Sequence, residues 1–319
     1  MGLLGKLIPT NLLSEKERFL ANPSYNPQFV YADDFSSQDL TTYGLPTPEL
    51  VGLAEKIVKQ AYFGRNEQDL WMMEGSELTQ AQVDAKVHAY LSMHQIADRF
   101  SVVWSSTFIT RAAITTDTVK LRLPCFFRKE GLLSMMYHEI GTHALRRINY
   151  EQQPWYKQKK KFGFGEYLPT EEGLAALHSL LPREFNSAFN SALRYLAVAW
   201  AQQGSFTEVW RELAPFVQDH ERRWDIVFRQ KRGMTDTSLP GGFTKDLCYF
   251  QGMIQVWRWL ADRQFDPTSL YIGKCALADV DKAVSYNPDF LPLLPSFYTL
   301  DPKKYQRLLQ KIGVANYFA

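Results

Sequence analysis

Residues 138–143 read His-Glu-Ile-Gly-Thr-His, so two histidines stand five positions apart with a glutamate beside the first. In a regular α-helix, residues five apart point about 140° away from each other, because each residue turns the helix by about 100°. The two imidazoles can bind one metal ion only where the helix widens into a π-type turn. Gly141 lies inside the interval and makes that distortion less costly because it has no Cβ. The motif therefore predicts a helix with a local π-turn.

The same motif predicts hydrolytic metal chemistry. A catalytic zinc ion usually has three protein ligands and one open position, so a third ligand must come from elsewhere in the chain. Glu171 and Glu172 follow Thr170, a candidate helix N-cap, and either could bind the metal while the other supports it. Spacing does not separate these two. Glu139 is placed to act as the general base of metal-assisted amide hydrolysis. The competing interpretation is a pair of structural histidines.

The order of predicted elements gives the fold class. Helices are predicted from Pro48, after the cap Thr47, and from the capping box that begins at Thr79. Residues 101–123 are rich in β-branched side chains and predict strands, the motif helix follows at about 129–148, and helices continue to the C-terminus. This order predicts a mainly helical α+β protein with a small sheet beside the metal-binding helix. In zincin-type metallopeptidases such a sheet offers an edge strand to substrate, and residues 119–123 are either that edge or an ordinary strand.

The 319 residues fit one large domain with a cleft. Turn-rich residues 1–46 predict an N-terminal extension. Residues 47–319 then form a single catalytic domain, with lobes at roughly 47–150 and 151–319 on the two sides of the zinc cleft.

Charge, hydropathy and cysteine content limit the possible partners. The formal net charge is only +2, which gives no reason to expect nucleic acid as a partner. No uninterrupted apolar run is long enough to span a membrane. The three cysteines form no CxxC pair, which favours a reducing, cytoplasmic location. The basic run at residues 157–161 either attracts an acidic peptide or is an ordinary solvated loop.

Beyond the motif, several blocks resemble the family of microtubule-associated tyrosine carboxypeptidases, in the family's order and close to its spacing. The string from Lys231 to Gly241 is long and specific, and the bacterial relatives named for a QEGLA motif share the architecture. Here the corresponding element reads Glu-Glu-Gly-Leu-Ala from Glu171. The matching blocks are His138–His143, Leu145-Arg146, Gln153–Trp155, Pro169–Ala175, Arg223-Trp224, Lys231–Gly241, Phe243–Asp246 and Tyr249.

The resemblance implies a zincin-like metallopeptidase with one Zn²⁺ per chain. His138, His143 and Glu172 are the implied zinc ligands, since the family's ligand is the second Glu of the pair, and Glu139 is the implied catalytic base. The implied reaction removes a C-terminal tyrosine from an acidic protein tail, namely that of α-tubulin. For a eukaryotic source, this also implies association with the cytoskeleton.

A carboxypeptidase must also hold the terminal carboxylate and stabilise an oxyanion. Within the matching blocks, Arg232, Lys245 and Tyr249 supply a guanidinium, an ammonium and a phenol suited to these tasks. Ordinary surface charges are the alternative interpretation for Arg232 and Lys245. Two other functions stay open, namely a non-catalytic zinc-binding regulator and a zinc amino- or endopeptidase. An aminopeptidase would need a carboxylate cluster for the substrate amine, whereas Arg232 and Lys245 are basic.

Overall fold

The computed structural model describes residues 3–108 and 110–318, so Ile109, within the predicted strand region, lies outside the described residues. The fold is mixed α+β and mainly helical, as the order of predicted elements indicates. The α-helices are α1 (Leu3–Lys6), α2 (Leu12–Ala21), α3 (Ser37–Leu40), α4 (Pro48–Tyr62), α5 (Glu67–Met72), α6 (Gln80–Met93), α7 (Lys129–His138), α8 (Leu145–Glu151), α9 (Leu168–His178), α10 (Phe189–Gln203), α11 (Phe206–Leu213), α12 (His220–Lys231), α13 (Leu247–Ala261), α14 (Val280–Tyr286), α15 (Ser296–Thr299) and α16 (Pro302–Ala315). The strands are β1 (Glu77–Leu78), β2 (Ser101–Ser105), β3 (Ala112–Ile114), β4 (Thr118–Arg122) and β5 (Phe127–Arg128).

Two helix starts confirm the capping predictions. The Thr47 side chain accepts a hydrogen bond from the backbone N–H of Leu50, and Pro48 is the first residue of α4. Thr79 and Gln82 form a reciprocal capping box at the start of α6. Each cap satisfies backbone donors that the first helical turn would otherwise leave without a partner.

The motif helix contains the predicted π-turn. A π-helical segment, Glu139–Ala144, connects α7 to α8 without a break. The wider turn is supported by side-chain hydroxyls that donate to its carbonyls. The Tyr271 hydroxyl donates to the carbonyl of Gly141 at 2.6 Å, and the Thr142 hydroxyl donates to that of Tyr137 at 2.8 Å. A Cβ on Gly141 would lie 2.7 Å from Phe297, so a small residue is required there.

The three-stranded sheet has the order β2-β4-β3. β4 pairs in parallel with β2 and antiparallel with β3, so it lies in the centre of the sheet. The hypothesis that residues 119–123 offer an edge to substrate is therefore wrong, because both sides of this strand are already hydrogen-bonded. The edge strand beside the π-turn is β3, whose Ile114 N–H donates to the Glu139 carboxylate. A second, two-stranded sheet pairs β1 with β5.

The described chain forms two compact units, each assembled from separate stretches of sequence. The first contains residues 3–70 and 188–250. Its core includes a cluster of aromatic rings around the fully buried Phe19, whose ring centroid lies 4.8 to 5.3 Å from those of Phe206, Trp210 and Trp224. The extension at 1–46 and the single catalytic domain at 47–319 stay predictions.

The second unit contains residues 71–187 and 251–318, and it includes the π-turn, the sheets and α9. Within it, α9 makes a very close approach to α13. A Cβ on Gly173 would lie 2.2 Å from the carbonyl carbon of Gly252, so only glycine fits at this crossing. This close approach fixes the position of α9, which carries Glu171 and Glu172. The helix begins at Leu168 with Tyr167 in the N-cap position, so the prediction of Thr170 as the N-cap is wrong. Throughout residues 3–108 and 110–318, no helix is both long enough and apolar enough to cross a bilayer.

Candidate metal centre

Three side chains of the second unit converge on one point. His138 ends α7, His143 lies in the π-turn, and Glu172 is the fifth residue of α9. The two Nε2 atoms are 3.2 Å apart, and His143 Nε2 lies 3.7 Å from Glu172 Oε2. One potential ligand atom from each residue lies within 4.8 Å of the other two. The π-turn thus brings together two histidines that a regular helix would separate.

This donor set fits a zinc ion. Zinc bound to nitrogen at about 2.0–2.1 Å in tetrahedral geometry separates neighbouring ligand atoms by about 3.3 Å. The observed 3.2 Å between the two imidazole nitrogens matches that edge. A cation between these lone pairs and the carboxylate would balance their mutual repulsion. Two imidazoles and one carboxylate also match a donor set that zinc uses in hydrolytic sites.

Glu171 has a different role from Glu172 in this arrangement. Its Oε1 accepts a hydrogen bond from His143 Nδ1 at 2.7 Å and lies 2.9 Å from Lys274 Nζ. Its Oε2 accepts from Arg146 Nη1 at 2.7 Å. Arg146 is fully buried and also donates to the carbonyls of Leu270 and Gly273. Glu171 thereby holds a proton of His143 on Nδ1, so that Nε2, which faces Glu172, is the nitrogen available to a metal ion.

The charges around this carboxylate determine two pKa directions. Burial alone would raise the pKa of Glu171, but Lys274 and Arg146 outweigh it and hold that pKa well below its usual value. Burial alone would likewise lower the pKa of His143. The hydrogen bonds to Glu171 and Glu172 outweigh burial and raise this pKa to about 9. Glu171 is therefore ionised at neutral pH and accepts a hydrogen bond from His143 Nδ1.

Glu139 is oriented by the sheet edge. One carboxylate oxygen accepts the N–H of Ile114 at 3.1 Å, and the other lies 4.0 Å from His138 Nε2. Burial raises the pKa of Glu139 to about 7, against the opposing charge of His143. A carboxylate with this pKa can both accept and release a proton near neutral pH.

A cavity of about 190 Å³ opens beside these groups. Its walls combine charged and apolar side chains, all within the second unit. The lining residues are Ile114, His143, Arg147, Tyr167, Leu168, Glu171, Glu172 and Lys274.

His178, in α9, contacts the π-turn through Thr142. Thr142 Oγ1 donates to a backbone carbonyl, so its 2.8 Å contact with His178 Nδ1 requires the imidazole to donate. His178 Nε2 must then accept from the Tyr305 hydroxyl, 2.9 Å away. Burial and the nearby Arg146 charge lower the pKa of His178, which keeps it neutral in this chain. His178 therefore has a structural role.

The predicted substrate-binding residues belong to the first unit. Arg232 follows α12, and its guanidinium lies 5.0 Å from the ring centroid of Phe243. Lys245 Nζ lies 3.4 Å from the Tyr249 hydroxyl, so these two side chains are neighbours. Burial and the nearby Arg229 lower the pKa of Arg232 to about 10. Their contacts with substrate stay a prediction.

From sequence, Arg146 had only a place in a matching family block, without a role, and nothing pointed to Lys274. Arg146 stands three residues after His143, so the helical repeat places the two on neighbouring faces, which was an available signal. Lys274 is 103 residues beyond Glu171, and no spacing rule connects them.

The chain is similar to several known proteins. A family model described as microtubule-associated tyrosine carboxypeptidase matches residues 28–288. Microtubule-associated tyrosine carboxypeptidase 1 of Homo sapiens is 32% identical over 324 residues, covering 98% of this chain and 68% of the human protein. The Mus musculus protein of the same name is 32% identical over 325 residues, with the same coverage. The putative tyrosine carboxypeptidase MATCAP2 of Mus musculus is also 32% identical, and 62% of its length is covered.

Proposed function

The chain belongs to the microtubule-associated tyrosine carboxypeptidase family, and on that basis we propose that it is a zinc-dependent carboxypeptidase. Its substrate is an acidic protein tail of the α-tubulin type, from which it removes the C-terminal tyrosine. We further propose a zincin-like arrangement, with a metal helix beside a small sheet, and a cytoplasmic location in association with the cytoskeleton.

The observation that carries this proposal is the convergence of His138, His143 and Glu172, with Glu139 beside them. When bound, zinc supplies Lewis acidity that polarises the scissile carbonyl and lowers the pKa of a water molecule. Glu171 orients one imidazole for this binding, and the π-turn orients both.

Glu139 performs the proton transfers. The N–H of Ile114 fixes one of its carboxylate oxygens, which leaves the other directed toward the metal ligands. In the first step, that oxygen takes a proton from the attacking water. Once the water oxygen has bonded to the scissile carbon, Glu139 gives the proton to the nitrogen of the leaving amino acid. The C–N bond then breaks, and the new carboxylic acid ionises to a carboxylate.

Recognition of the substrate terminus is the second part of the proposal. We propose that Arg232, Lys245 or Tyr249 contacts the terminal carboxylate or the oxyanion. Arginine suits a carboxylate because its planar guanidinium donates two parallel hydrogen bonds.

The test is mass spectrometry of a peptide panel incubated with zinc-loaded protein. The panel contains one acidic sequence with a C-terminal tyrosine, with other C-terminal residues, with a C-terminal amide, and with an acetylated N-terminus. We expect loss of the terminal tyrosine alone, no reaction of the amide and full reaction of the acetylated peptide. The Glu139→Gln variant is the matched control and should leave every peptide intact.

Other outcomes separate the alternatives. Cleavage of the amidated peptide within its sequence would identify an endopeptidase, and dependence on a free N-terminus would identify an aminopeptidase. No cleavage of any peptide, with zinc bound, would contradict the carboxypeptidase assignment and favour a non-catalytic zinc protein.

A further inference from the structure

Residues 157–161, the lysine loop, line a concavity of about 570 Å³ together with Tyr150. The loop reads Lys-Gln-Lys-Lys-Lys, so four of its five side chains are basic. Lys157, Lys160 and Lys161 are exposed, and Lys159 is half-buried. This surface lies entirely within the second unit, which also contains the candidate metal centre.

The ammonium groups of the lysine loop form no ion pair within the described chain. Among residues 3–108 and 110–318, no carboxylate lies within 4.0 Å of any of its four ammonium groups, whereas Lys6, Lys16, Lys59 and Lys274 all have such partners. The Nζ of Lys159 is buried and has no hydrogen-bond acceptor in the same part of the chain. A cluster of like charges without counter-charges favours an anionic ligand.

The loop is held in a defined conformation. Lys159 lies between two aromatic rings, with its Nζ 3.2 Å from the ring centroid of Tyr167 and 4.7 Å from that of Tyr150. The Tyr150 hydroxyl accepts the N–H of Lys157, which has a left-handed φ of 59°. A held loop loses little conformational entropy when it binds a ligand.

Tyr167 connects the lysine loop to the candidate metal centre. Its ring contacts Lys159, and the same residue lines the cavity beside His143 and Glu172. A chain whose terminal residue occupied that cavity could therefore continue across Tyr167 onto the loop.

We infer that the lysine loop is a docking surface for the acidic stretch of a polypeptide that precedes the residue removed at the metal centre. The inference rests on the proposed function and extends it by assigning a surface to the acidic part of the substrate. An acidic polypeptide fits better than nucleic acid, because the surface adjoins a peptidase-type cavity and the whole chain carries a net charge of only +2.

The first test measures binding without turnover. The probe is a fluorescein-labelled peptide of glutamate and glycine that lacks a terminal tyrosine, and a glutamine–glycine peptide is the uncharged counterpart. Fluorescence anisotropy gives the affinity of each peptide for two charge-matched triple variants of the zinc-loaded protein. The loop variant is Lys157→Gln/Lys160→Gln/Lys161→Gln, and the control on exposed positions of α16 is Lys303→Gln/Lys304→Gln/Lys311→Gln.

We expect the loop variant to bind the acidic peptide about tenfold more weakly, because each exposed ion pair contributes a few-fold at most. The control variant should change this affinity less than twofold, and added salt should weaken binding by wild type more than by the loop variant. Equal losses in both variants, or no loss in either, would overturn the inference. A single-stranded oligonucleotide that binds more tightly than the peptide, and loses affinity only in the loop variant, would overturn it in favour of nucleic acid.

The second test separates this inference from the proposed function. With an acidic substrate ending in tyrosine, the loop variant should raise KM about tenfold and leave kcat unchanged. With a short neutral substrate ending in tyrosine, both constants should equal those of wild type. If no substrate is cleaved by wild type, the proposed function fails, while the anisotropy result still decides whether the loop binds acidic peptides.

Discussion

Replacing Glu171 with glutamine removes the charge that connects His143 to the buried Arg146 and the partly buried Lys274. The native carboxylate accepts from His143 Nδ1 and Lys274 on one oxygen and from Arg146 on the other, at 2.7 to 2.9 Å. Glutamine keeps the shape but replaces one acceptor oxygen with a donor NH₂ group. The NH₂ group then faces either His143 and Lys274 or Arg146, so contacts are lost in both orientations, and in the first the tautomer of His143 is no longer fixed.

The expected consequence is weaker metal binding. Partners that orient a metal-bound histidine typically contribute a factor of about 10 to 100 in metal affinity. This range corresponds to about 1.4 to 2.8 kcal/mol. We expect the upper half of the range for Glu171→Gln, because the buried Arg146 also loses its counter-charge.

Competition with a chromophoric chelator measures the zinc affinity, and urea unfolding of the same samples measures stability. Glu184→Gln, on an exposed position of the same unit, is the matched control and should leave both quantities unchanged. A wild-type zinc affinity in Glu171→Gln would refute the positioning role of this carboxylate. Equal zinc affinity with lower stability would show that Glu171 only compensates the charges of Arg146 and Lys274.

Three further predictions concern catalysis, packing and pH. Glu139→Gln should reduce kcat by at least a factor of about 100 while zinc content stays at the wild-type level, and a kcat near wild type would exclude Glu139 as the base. Gly173→Ala should destabilise the protein by about 1–3 kcal/mol and weaken zinc binding, because its Cβ meets the α13 backbone. The control Gly52→Ala, where nothing lies within 4 Å, should be neutral or stabilising by up to about 1 kcal/mol, and equal urea midpoints for the two would contradict this packing. Burial would raise the pKa of Asp246, but the Arg229 guanidinium outweighs it and holds that pKa far below the usual value. The stability from this ion pair is thus complete above about pH 4 and decreases as the pH falls further. Asp246→Asn should therefore lower the free energy of unfolding in urea at neutral pH and lower it less in acid. A difference from wild type that does not change with pH would contradict the pairing.

Local features of the site were predictable from sequence because short-range geometry constrains them. Two histidines five residues apart can bind one metal ion only across a widened turn, and the π-helical segment at Glu139–Ala144 is such a turn. The caps at Thr47 and Thr79 were equally local, since each satisfies donors within three residues. Spacing alone could not decide whether Glu171 or Glu172 binds the metal ion, because adjacent residues of a helix differ only in the direction of their side chains.

Features that depend on long-range pairing were not predictable from one sequence. The central position of β4 results from its parallel pairing with β2, which no local pattern encodes. The ion-pair cluster joins Glu171 to residues 25 positions before it and 103 positions after it. Arg146 stands one helical turn after His143, but no motif or spacing connects Lys274 to the site, so only the folded chain reveals the complete cluster.

The most direct measurement is the X-ray absorption spectrum of the protein at the zinc edge, recorded after metal loading and removal of excess zinc. We expect one zinc ion per chain, with nitrogen and oxygen ligands at about 2.0–2.1 Å and the scattering pattern of two imidazoles. The His143→Ala variant should lose that pattern. A protein that retains no zinc, or a spectrum with sulfur ligands at about 2.3 Å, would contradict the assignment of His138, His143 and Glu172 as the metal centre.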